Sequence, residues 1–210
     1  MAEDNRPIIE VKDLVVKYGD RTVLDNINFH VNRGETFVIL GGSGCGKSTL
    51  LKNLVGLMRP HSGHILINGQ DITEMTDVER VEVRKKLGMC FQASALFNSM
   101  SIGDNVRLGL VRQALPTDEI ETRVHEALTL VGLPDAGARF PAELSGGMRK
   151  RVGIARAIAL RPRYILWDEP TTGLDPVTAA TMDRLMRRTA EELGVTSVVV
   201  THDMRSAFTV

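Results

Sequence analysis

The run Gly41-Gly42-Ser43-Gly44-Cys45-Gly46-Lys47-Ser48-Thr49 combines glycines, a lysine and hydroxyl side chains at a spacing that can hold phosphate. It lies between the apolar segment Thr36–Leu40 and a segment of helical pattern, 47–55. Glycines let successive backbone N–H groups point at one anion, and a helix start adds a positive end. Lys47 is then expected to reach the β- and γ-phosphates of a nucleotide, and the Ser48 hydroxyl to bind magnesium. The alternative is a glycine-rich turn with an accidental lysine, but strand, loop and helix all agree with phosphate binding.

The pair Asp168-Glu169 is a second candidate, since it directly follows the apolar segment Tyr164–Trp167. A carboxylate at the end of a parallel strand points into the crevice beyond the sheet. Asp168 can hold the magnesium shell through water, and Glu169 can orient or deprotonate an attacking water. Alone, the pair fits an ordinary strand-end turn equally well. The phosphate-binding loop upstream favours the catalytic interpretation.

The segment Leu144-Ser145-Gly146-Gly147-Met148 places a serine and two glycines at the start of a predicted helix. That arrangement makes a second anion site. One nucleotide does not need two such sites in one chain. We therefore expect a head-to-tail homodimer, in which this helix end faces the γ-phosphate held by the loop of a second copy. Alone, the segment would be a plain helix cap with flexible glycines.

Strand and helix patterns alternate along the chain and predict how these residues are positioned. Strands are predicted at 8–16, 23–31, 36–40, 63–68, 87–91, 164–167 and 196–201. Helices are predicted at 47–55, at 77–86 behind a capping box, within 94–160, and from 176 to near Gly194. This order indicates an α/β fold with a parallel sheet, a small antiparallel section in front and a helical insert. Residues 203–210 resemble a helix cut short, so we expect a truncated chain.

The bulk composition narrows the possible partners. The chain has 210 residues, and 26 basic residues balance 26 acidic ones, which gives no indication of nucleic-acid binding. Cys45 and Cys90 have no close spacing that would predict a zinc site or a disulfide framework. The start of the chain is polar, and no apolar stretch is long enough for a membrane helix, so we expect no signal peptide and a peripheral association with any membrane.

In their order, these segments resemble the ATP-binding subunits of ABC transporters over essentially the whole chain. The matched positions are Tyr18 (the residue that stacks on adenine), Gly41–Thr49 (Walker A), Gln92 (Q-loop), Leu144–Met148 (signature), Asp168 (Walker B), Glu169 (catalytic glutamate), 172–175 with Asp175 (D-loop) and His202 (switch histidine). Taken singly, Tyr18 fits a surface aromatic residue, Gln92 a solvated loop residue and His202 a polar strand end. Their placement together, in the order of the family, favours the motif roles over these alternatives.

The resemblance implies a P-loop NTPase fold of the ABC ATPase type, with a RecA-like parallel core, an N-terminal antiparallel β subdomain and an inserted helical subdomain. One domain would cover 1–210, with 1–92 and 161–210 as the nucleotide-binding part and 93–160 as the helical part. ATP and Mg²⁺ are the implied cofactors. The implied roles are catalysis by Glu169, His202 and Gln92, metal binding by Ser48, Gln92 and Asp168, and contact in trans by Ser145, Gly146, Gly147 and Met148.

Met148 stands where the family usually has glutamine, and we expect Ser145, Gly146 and Gly147 to keep the phosphate contact. The run Met148-Arg149-Lys150-Arg151-Val152 and the stretch 91–106 resemble the ATPases of Mla-type phospholipid transporters. That resemblance implies an integral membrane permease and a lipid-carrying Mce-domain subunit as partners. It also implies a location on the cytoplasmic face of the inner membrane and phospholipid transport between inner and outer membranes. The alternatives are an ABC ATPase with another cargo, or a soluble non-transport ABC ATPase, which neutral charge and the lack of a long heptad segment disfavour.

Overall fold

The computed structural model describes residues 7–210, so the polar start for which no signal peptide is predicted lies largely outside the described part. The strands are β1 (Ile9–Tyr18), β2 (Arg21–Val31), β3 (Thr36–Leu40), β4 (Ser62–Ile67), β5 (Gln70–Asp71), β6 (Leu87–Cys90), β7 (Tyr164–Asp168) and β8 (Thr196–Thr201). The α-helices are α1 (Lys47–Leu54), α2 (Asp77–Arg84), α3 (Ile102–Leu110), α4 (Thr117–Leu130), α5 (Gly146–Ile158), α6 (Pro176–Leu193) and α7 (Met204–Thr209). Short 3₁₀ turns lie at Val111–Gln113, Pro134–Ala136 and Pro141–Glu143.

An antiparallel sheet in the order β2-β1-β4-β5 forms the front of the molecule. Its central strand β1 buries Ile9, Val11, Leu14 and Val16. The pairing of β1 with both neighbours shifts register between residues 11 and 15. Such a bulge bends a strand and increases its twist, which lets the sheet curve over α1.

A parallel sheet in the order β3-β8-β7-β6 forms the centre. Every residue of β7 and β8 is buried, as expected for strands covered on both faces. Successive side chains of β7 therefore enter two different hydrophobic clusters. Ile165 and Trp167 pack with the helices α3, α4, α5 and α6, which we call the helical core. Tyr164 and Leu166 pack with α1 and the antiparallel sheet, which we call the front core.

The helices α3, α4 and α5 pack on one another and on one face of the parallel sheet. Asn105, fully buried in α3, donates from its side-chain amide to the carbonyls of Phe97, Met100 and Ser101, and accepts from the Phe97 N–H at 2.7 Å. A buried amide with these partners is satisfied. It fixes the segment that follows Gln92.

The observed architecture confirms the predicted α/β fold with a parallel sheet, a preceding antiparallel sheet and a helical region. The predicted capping box forms at Thr76, whose side chain accepts from the Glu79 N–H. The segment after His202 is a short helix, α7. The boundaries proposed for the helical part, 93–160, remain a prediction. Within residues 7–210, no helix combines the length and the apolar character needed to cross a membrane.

Gly63 is a site where the fold requires a glycine, and this gives a stability prediction. Its φ is +89°, and a Cβ there would overlap the backbone carbonyl of Asp13 in the bulge of β1. Gly34 also has a positive φ, +74°, but a Cβ there would meet no atom within 4 Å. Gly34→Ala should cost about 1–2 kcal/mol of unfolding free energy from backbone conformation alone. Gly63→Ala should cost about 1–3 kcal/mol more because of the added overlap. Equal losses in urea titrations of the two variants would contradict the close packing at the bulge.

Candidate functional site

The carboxyl ends of β3, β7 and β8 lie side by side, and this edge assembles the site. Leu40 pairs with Thr201, and Asp168 pairs with Val200, so all three strands end at nearly the same level. The Gly41 N–H continues the ladder by donating to the Thr201 carbonyl at 3.2 Å. The glycine-rich loop, the acidic pair and His202 are therefore brought to the same edge, where ligands of open α/β sheets bind.

The Lys47 ammonium lies at the centre of this edge and is 8% exposed as a residue. It donates to the carbonyl oxygens of Gly41 and Gly42 at 2.6 and 2.9 Å. Its nitrogen is also 3.1 Å from Oε1 of Glu169. A buried cation needs compensating charge and hydrogen bonds, and the loop and the acidic pair supply both. The same ammonium can serve phosphate oxygens of a nucleotide bound to the loop.

Ser48 and Asp168 form the part of the site that can bind a metal ion. The Ser48 hydroxyl donates to Oδ1 of Asp168 at 2.9 Å. Burial raises the pKa of Asp168, the Ser48 hydrogen bond lowers it and the neighbouring Glu169 charge raises it again, with a net upward shift. A hydroxyl and a carboxylate are hard oxygen ligands of the kind that Mg²⁺ prefers. The donor set therefore fits magnesium, and Gln92 faces the same cleft with a further amide oxygen.

Glu169 is held by hydrogen bonds to both carboxylate oxygens. Its Oε2 accepts from Nδ1 of His202 at 2.6 Å and from the Thr172 hydroxyl at 3.0 Å. Burial raises the pKa of Glu169, but the hydrogen bonds from Lys47, His202 and Thr172 outweigh it, so the pKa lies below its usual value of 4.5. The residue itself has a φ of 49°, a left-handed conformation uncommon for a residue with a side chain. The site thus keeps an ionised, oriented carboxylate next to the Lys47 ammonium.

A cleft of about 360 Å³ opens between these groups. Its lining comprises Val23, Ser43, Gly44, Gly46, Lys47, Ser48, Thr49, Gln92, Glu169, Thr172 and His202. The backbone carbonyls of the two remaining loop glycines, 41 and 42, face Lys47, and Asp168 lies behind Ser48. Cys45 is exposed and borders a separate apolar groove with Leu24. The loop residues, Gln92, the acidic pair and His202 are therefore brought together as a set.

Other residues singled out from the sequence do not line this cleft. Tyr18 is 49% exposed, and its hydroxyl contacts the Met58 sulfur at 3.2 Å. Ser145 caps α5 by accepting from the Met148 N–H at 3.2 Å. Asp175 caps α6 by accepting from the N–H groups of Val177 and Thr178. Sequence reasoning missed the side chain of Val23. It placed Thr172 in the D-loop segment, but no sequence signal pointed to the bond between its hydroxyl and Glu169.

The family model described as ABC transporter matches residues 24–172, which is most of the chain and includes the loop, Gln92, the signature segment and the acidic pair. The chain belongs to the ABC transporter family. It is the ATP-binding, ATP-hydrolysing subunit of such a transporter.

Relatives in this family serve different transport systems. The chain is 45% identical over 207 residues to the intermembrane phospholipid transport system ATP-binding protein MlaF of Haemophilus influenzae, covering 98% of this chain and 78% of the relative. It is 43% identical to the methionine import ATP-binding protein MetN of Carboxydothermus hydrogenoformans, covering 94% of this chain and 60% of the relative. It is 45% identical to the probable ribonucleotide transport ATP-binding protein mkl of Mycobacterium leprae, covering 96% of this chain and 58% of the relative. The chain thus spans less than two thirds of the length of the latter two.

Solved structures of ABC cassettes share the fold. The dimeric structure of MJ0796, a bacterial ABC transporter cassette, superimposes with a TM-score of 0.88 at 35% identity, covering 96% of this chain and 90% of that one. The dimeric post-hydrolysis state of the same cassette, bound to ADP and phosphate, gives a TM-score of 0.87 at 34% identity, with the same coverage. Similar cassettes therefore form dimers and bind nucleotide.

The charge balance of the cleft gives a titration prediction. Replacing Lys47 by methionine removes the first of the hydrogen bonds that lower the pKa of Glu169, while the burial that raises it remains. We expect the Glu169 pKa to rise from below 4.5 towards or above that value. Carboxyl-carbon NMR titration of the wild type and of Lys47→Met measures the change. In the wild type, the contribution of this ionised carboxylate to stability is present above the ordinary pKa and is lost as pH falls through the lowered one.

Lys85→Met is the matched control, because Lys85 pairs with Glu82 on the exposed side of α2. It should leave the Glu169 titration unchanged. An unchanged Glu169 pKa in Lys47→Met would contradict the assignment of Lys47 as its charge partner.

Proposed function

We propose that this chain hydrolyses ATP in a composite site completed by a second copy, and that hydrolysis drives phospholipid transport between bacterial membranes. The observation that carries the catalytic part is the ionised Glu169, fixed between Lys47 and His202 at the mouth of the glycine-rich loop. This supports Glu169 as a base next to the position where the loop would hold the γ-phosphate. Phosphoryl transfer to water requires positioning and charge neutralisation and no covalent intermediate.

The binding roles follow from the cleft. The N–H groups of residues 43–49 at the start of α1 and the Lys47 ammonium would bind the β- and γ-phosphates. Ser48, Asp168 and Gln92 would hold Mg²⁺, which neutralises phosphate charge when bound. Because Lys47 now contacts the Glu169 carboxylate, a bound γ-phosphate would compete for the ammonium. Release of that contact would free a carboxylate oxygen to accept a hydrogen bond from the attacking water.

His202 would keep Glu169 oriented during the reaction. Both its backbone N–H and its Nδ1 lie within hydrogen-bond distance of Glu169 Oε2, at 3.3 and 2.6 Å. Its side chain is about half exposed, so the ring can contact both the carboxylate and a ligand in the cleft. This supports the role of switch histidine predicted from the sequence.

The exposure of the signature segment supports its proposed role on another molecule. Ser145 and Gly146 are exposed at the start of α5 and lie outside the cleft of their own chain. The Ser145 hydroxyl accepts from the Met148 N–H, which leaves the hydroxyl proton available to an anion. The dimeric cassettes of the same fold support a head-to-tail homodimer, in which Ser145, Gly146, Gly147 and Met148 meet the nucleotide of the partner. Tyr18 would then stack on adenine, and Asp175 would lie at the dimer interface.

Phospholipid is the cargo best supported by the chain. The relative of Haemophilus influenzae that serves intermembrane phospholipid transport matches over 98% of the chain, and the run from Met148 to Val152 resembles that group. The proposed partners are an integral membrane permease and an Mce-domain subunit, with the chain on the cytoplasmic face of the inner membrane and no nucleic acid. The permease would dock in the groove between Gln92 and Arg149. Methionine and ribonucleotide relatives make another cargo the alternative.

Glu169→Gln tests the catalytic assignment. The substitution keeps the shape and the loop that binds phosphate but removes the base, so ATP binding should persist while kcat falls by about 10²-fold or more. The variant should also accumulate as a dimer with MgATP. Phosphate release and size-exclusion chromatography measure the two effects. Lys47→Ala, measured beside it with a fluorescent ATP analogue, should lose tight nucleotide binding.

Glu192→Gln is the control, because this glutamate pairs with Arg188 on the surface of α6, and it should behave as the wild type. Normal hydrolysis by Glu169→Gln would show that the role given to this residue is wrong. Unchanged nucleotide affinity in Lys47→Ala would refute the phosphate-binding loop.

Co-purification from membranes tests the cargo. A tagged chain should bring down an integral membrane protein together with a lipid-carrying Mce-domain protein, and mass spectrometry of the complex should find bound phospholipid. Recovery of a permease with a methionine- or ribonucleotide-binding protein would instead support the alternative cargo. Genes for a permease and an Mce-domain protein beside that of this chain would agree with the lipid assignment.

A further inference from the structure

The Lys150 side chain joins α5 to the loop that carries Glu169. Its ammonium donates to the Pro170 carbonyl at 2.9 Å and to the Thr172 carbonyl at 2.6 Å. Pro170 directly follows Glu169, and the Thr172 hydroxyl donates to the Glu169 carboxylate. One cation therefore holds the backbone on both sides of Thr171, within three residues of the proposed base.

The surroundings of Lys150 favour a fixed contact over a mobile surface chain. The residue is partly buried, which lowers the pKa of its ammonium, while the nearby Glu169 charge acts in the opposite direction. A partly buried cation needs hydrogen-bond acceptors, and in this position two carbonyl oxygens supply them. Thr172 in turn donates its own backbone N–H to the Glu169 carbonyl at 3.2 Å. The segment from Glu169 to Thr172 is therefore held by its own turn and by Lys150.

The helix that bears Lys150 also bears the signature residues. Lys150 lies one turn beyond Gly146 and Gly147, so it moves with them as part of α5. Further along the same helix, Arg156 donates to the carbonyls of Ser94 and Ala95, which follow Gln92. The helix thus contacts two loops of its own chain while its start faces outward.

We propose that Lys150 is a positioning residue in the dimer. It couples the binding of its helix, α5, to the partner's nucleotide with the position of Glu169 in its own chain. The inference rests on the composite site of the proposed function. When Ser145 to Gly147 dock on the partner's nucleotide, α5 takes a defined position. Lys150 then fixes the backbone at Pro170 and Thr172, and with it the carboxylate that serves this chain's own nucleotide. Removing the ammonium leaves both binding surfaces intact and loosens the connection between them.

Lys150→Met tests this connection, because methionine keeps the apolar stem and removes the donor. Turnover of MgATP should fall on the order of 10- to 100-fold, as expected when a catalytic group loses its position. The dissociation constant for a fluorescent ATP analogue should change by less than about twofold, since the loop and Lys47 are untouched. The Hill coefficient for MgATP should move towards about one, because coupling between the sites is lost. Lys150→Arg, which keeps the charge and the donors, should recover most of the rate.

Arg151→Met is the matched control on the same helix. Arg151 donates to the Val131 carbonyl inside the helical region and makes no hydrogen bond to the Glu169 loop, so its loss should leave kcat and the Hill coefficient near those of the wild type. Wild-type turnover by Lys150→Met, an equal loss in Arg151→Met, or a loss of affinity that parallels the loss of rate would overturn the inference. If Lys150→Met does not fold, Lys150→Gln keeps amide N–H donors on a shorter, neutral side chain and should show the same split between rate and affinity to a smaller degree.

Glu169→Gln, assayed in the same series, separates the two proposals. Full hydrolysis by Glu169→Gln would contradict the proposed function itself. Slow hydrolysis by Glu169→Gln together with a fully active Lys150→Met would leave that function standing and overturn the role of Lys150 alone.

Discussion

The site depends on one requirement, which is that the ammonium of Lys47 must be compensated where it is buried. Two loop carbonyls and the carboxylate of Glu169 meet that requirement. They can do so only because β3 and β7 end at the same edge with β8 between them. The parallel sheet therefore sets the distance between the Lys47 ammonium and the proposed base. His202 and Thr172 then orient that base from the other side.

The same arrangement gives two adjacent carboxylates different partners and different pKa shifts. Asp168 lies behind Ser48, and burial raises its pKa, whereas hydrogen bonds lower that of Glu169. The carboxylate with the less favourable solvation is the one that a divalent cation would stabilise. The carboxylate whose ionised form is favoured by hydrogen bonds is the one beside the lysine. Neighbouring residues of one type can thus take different roles because they point to different partners.

Much of the fold could be predicted because the local sequence patterns agree with the structure that the whole chain adopts. The capping box at Thr76, the wholly apolar strand before Asp168 and the Asp175-Pro176 helix start all form as their sequences indicate. The convergence of the loop, Asp168 and Glu169 also follows from sequence, since parallel strands share one edge. The membership of the ABC transporter family was likewise evident from the order of the motifs.

Contacts between side chains and distant backbone groups could not be predicted. Nothing in the residue types shows that Lys150 donates to the carbonyls of Pro170 and Thr172, because the contact depends on how α5 crosses the end of β7. The left-handed backbone of Glu169 is equally hidden, since such conformations are usually expected of glycine or asparagine. The contact of Tyr18 with Met58 depends on the curvature of the front sheet.

The separation of the interior into a helical core and a front core has a consequence for how the molecule can change over time. Adjacent residues of β7, such as Trp167 and Leu166, belong to different cores, so the sheet separates two groups of buried side chains that pack independently. Because the two cores are separate clusters on opposite faces of the parallel sheet, side-chain volumes in the helical core can change with little repacking of the front core. Substitutions on the helical side can therefore alter the groove between Gln92 and Arg149, where the permease is proposed to dock, while the packing beneath the glycine-rich loop is kept. The glycine-rich loop and the proposed partner groove then rest on separate hydrophobic cores within one chain.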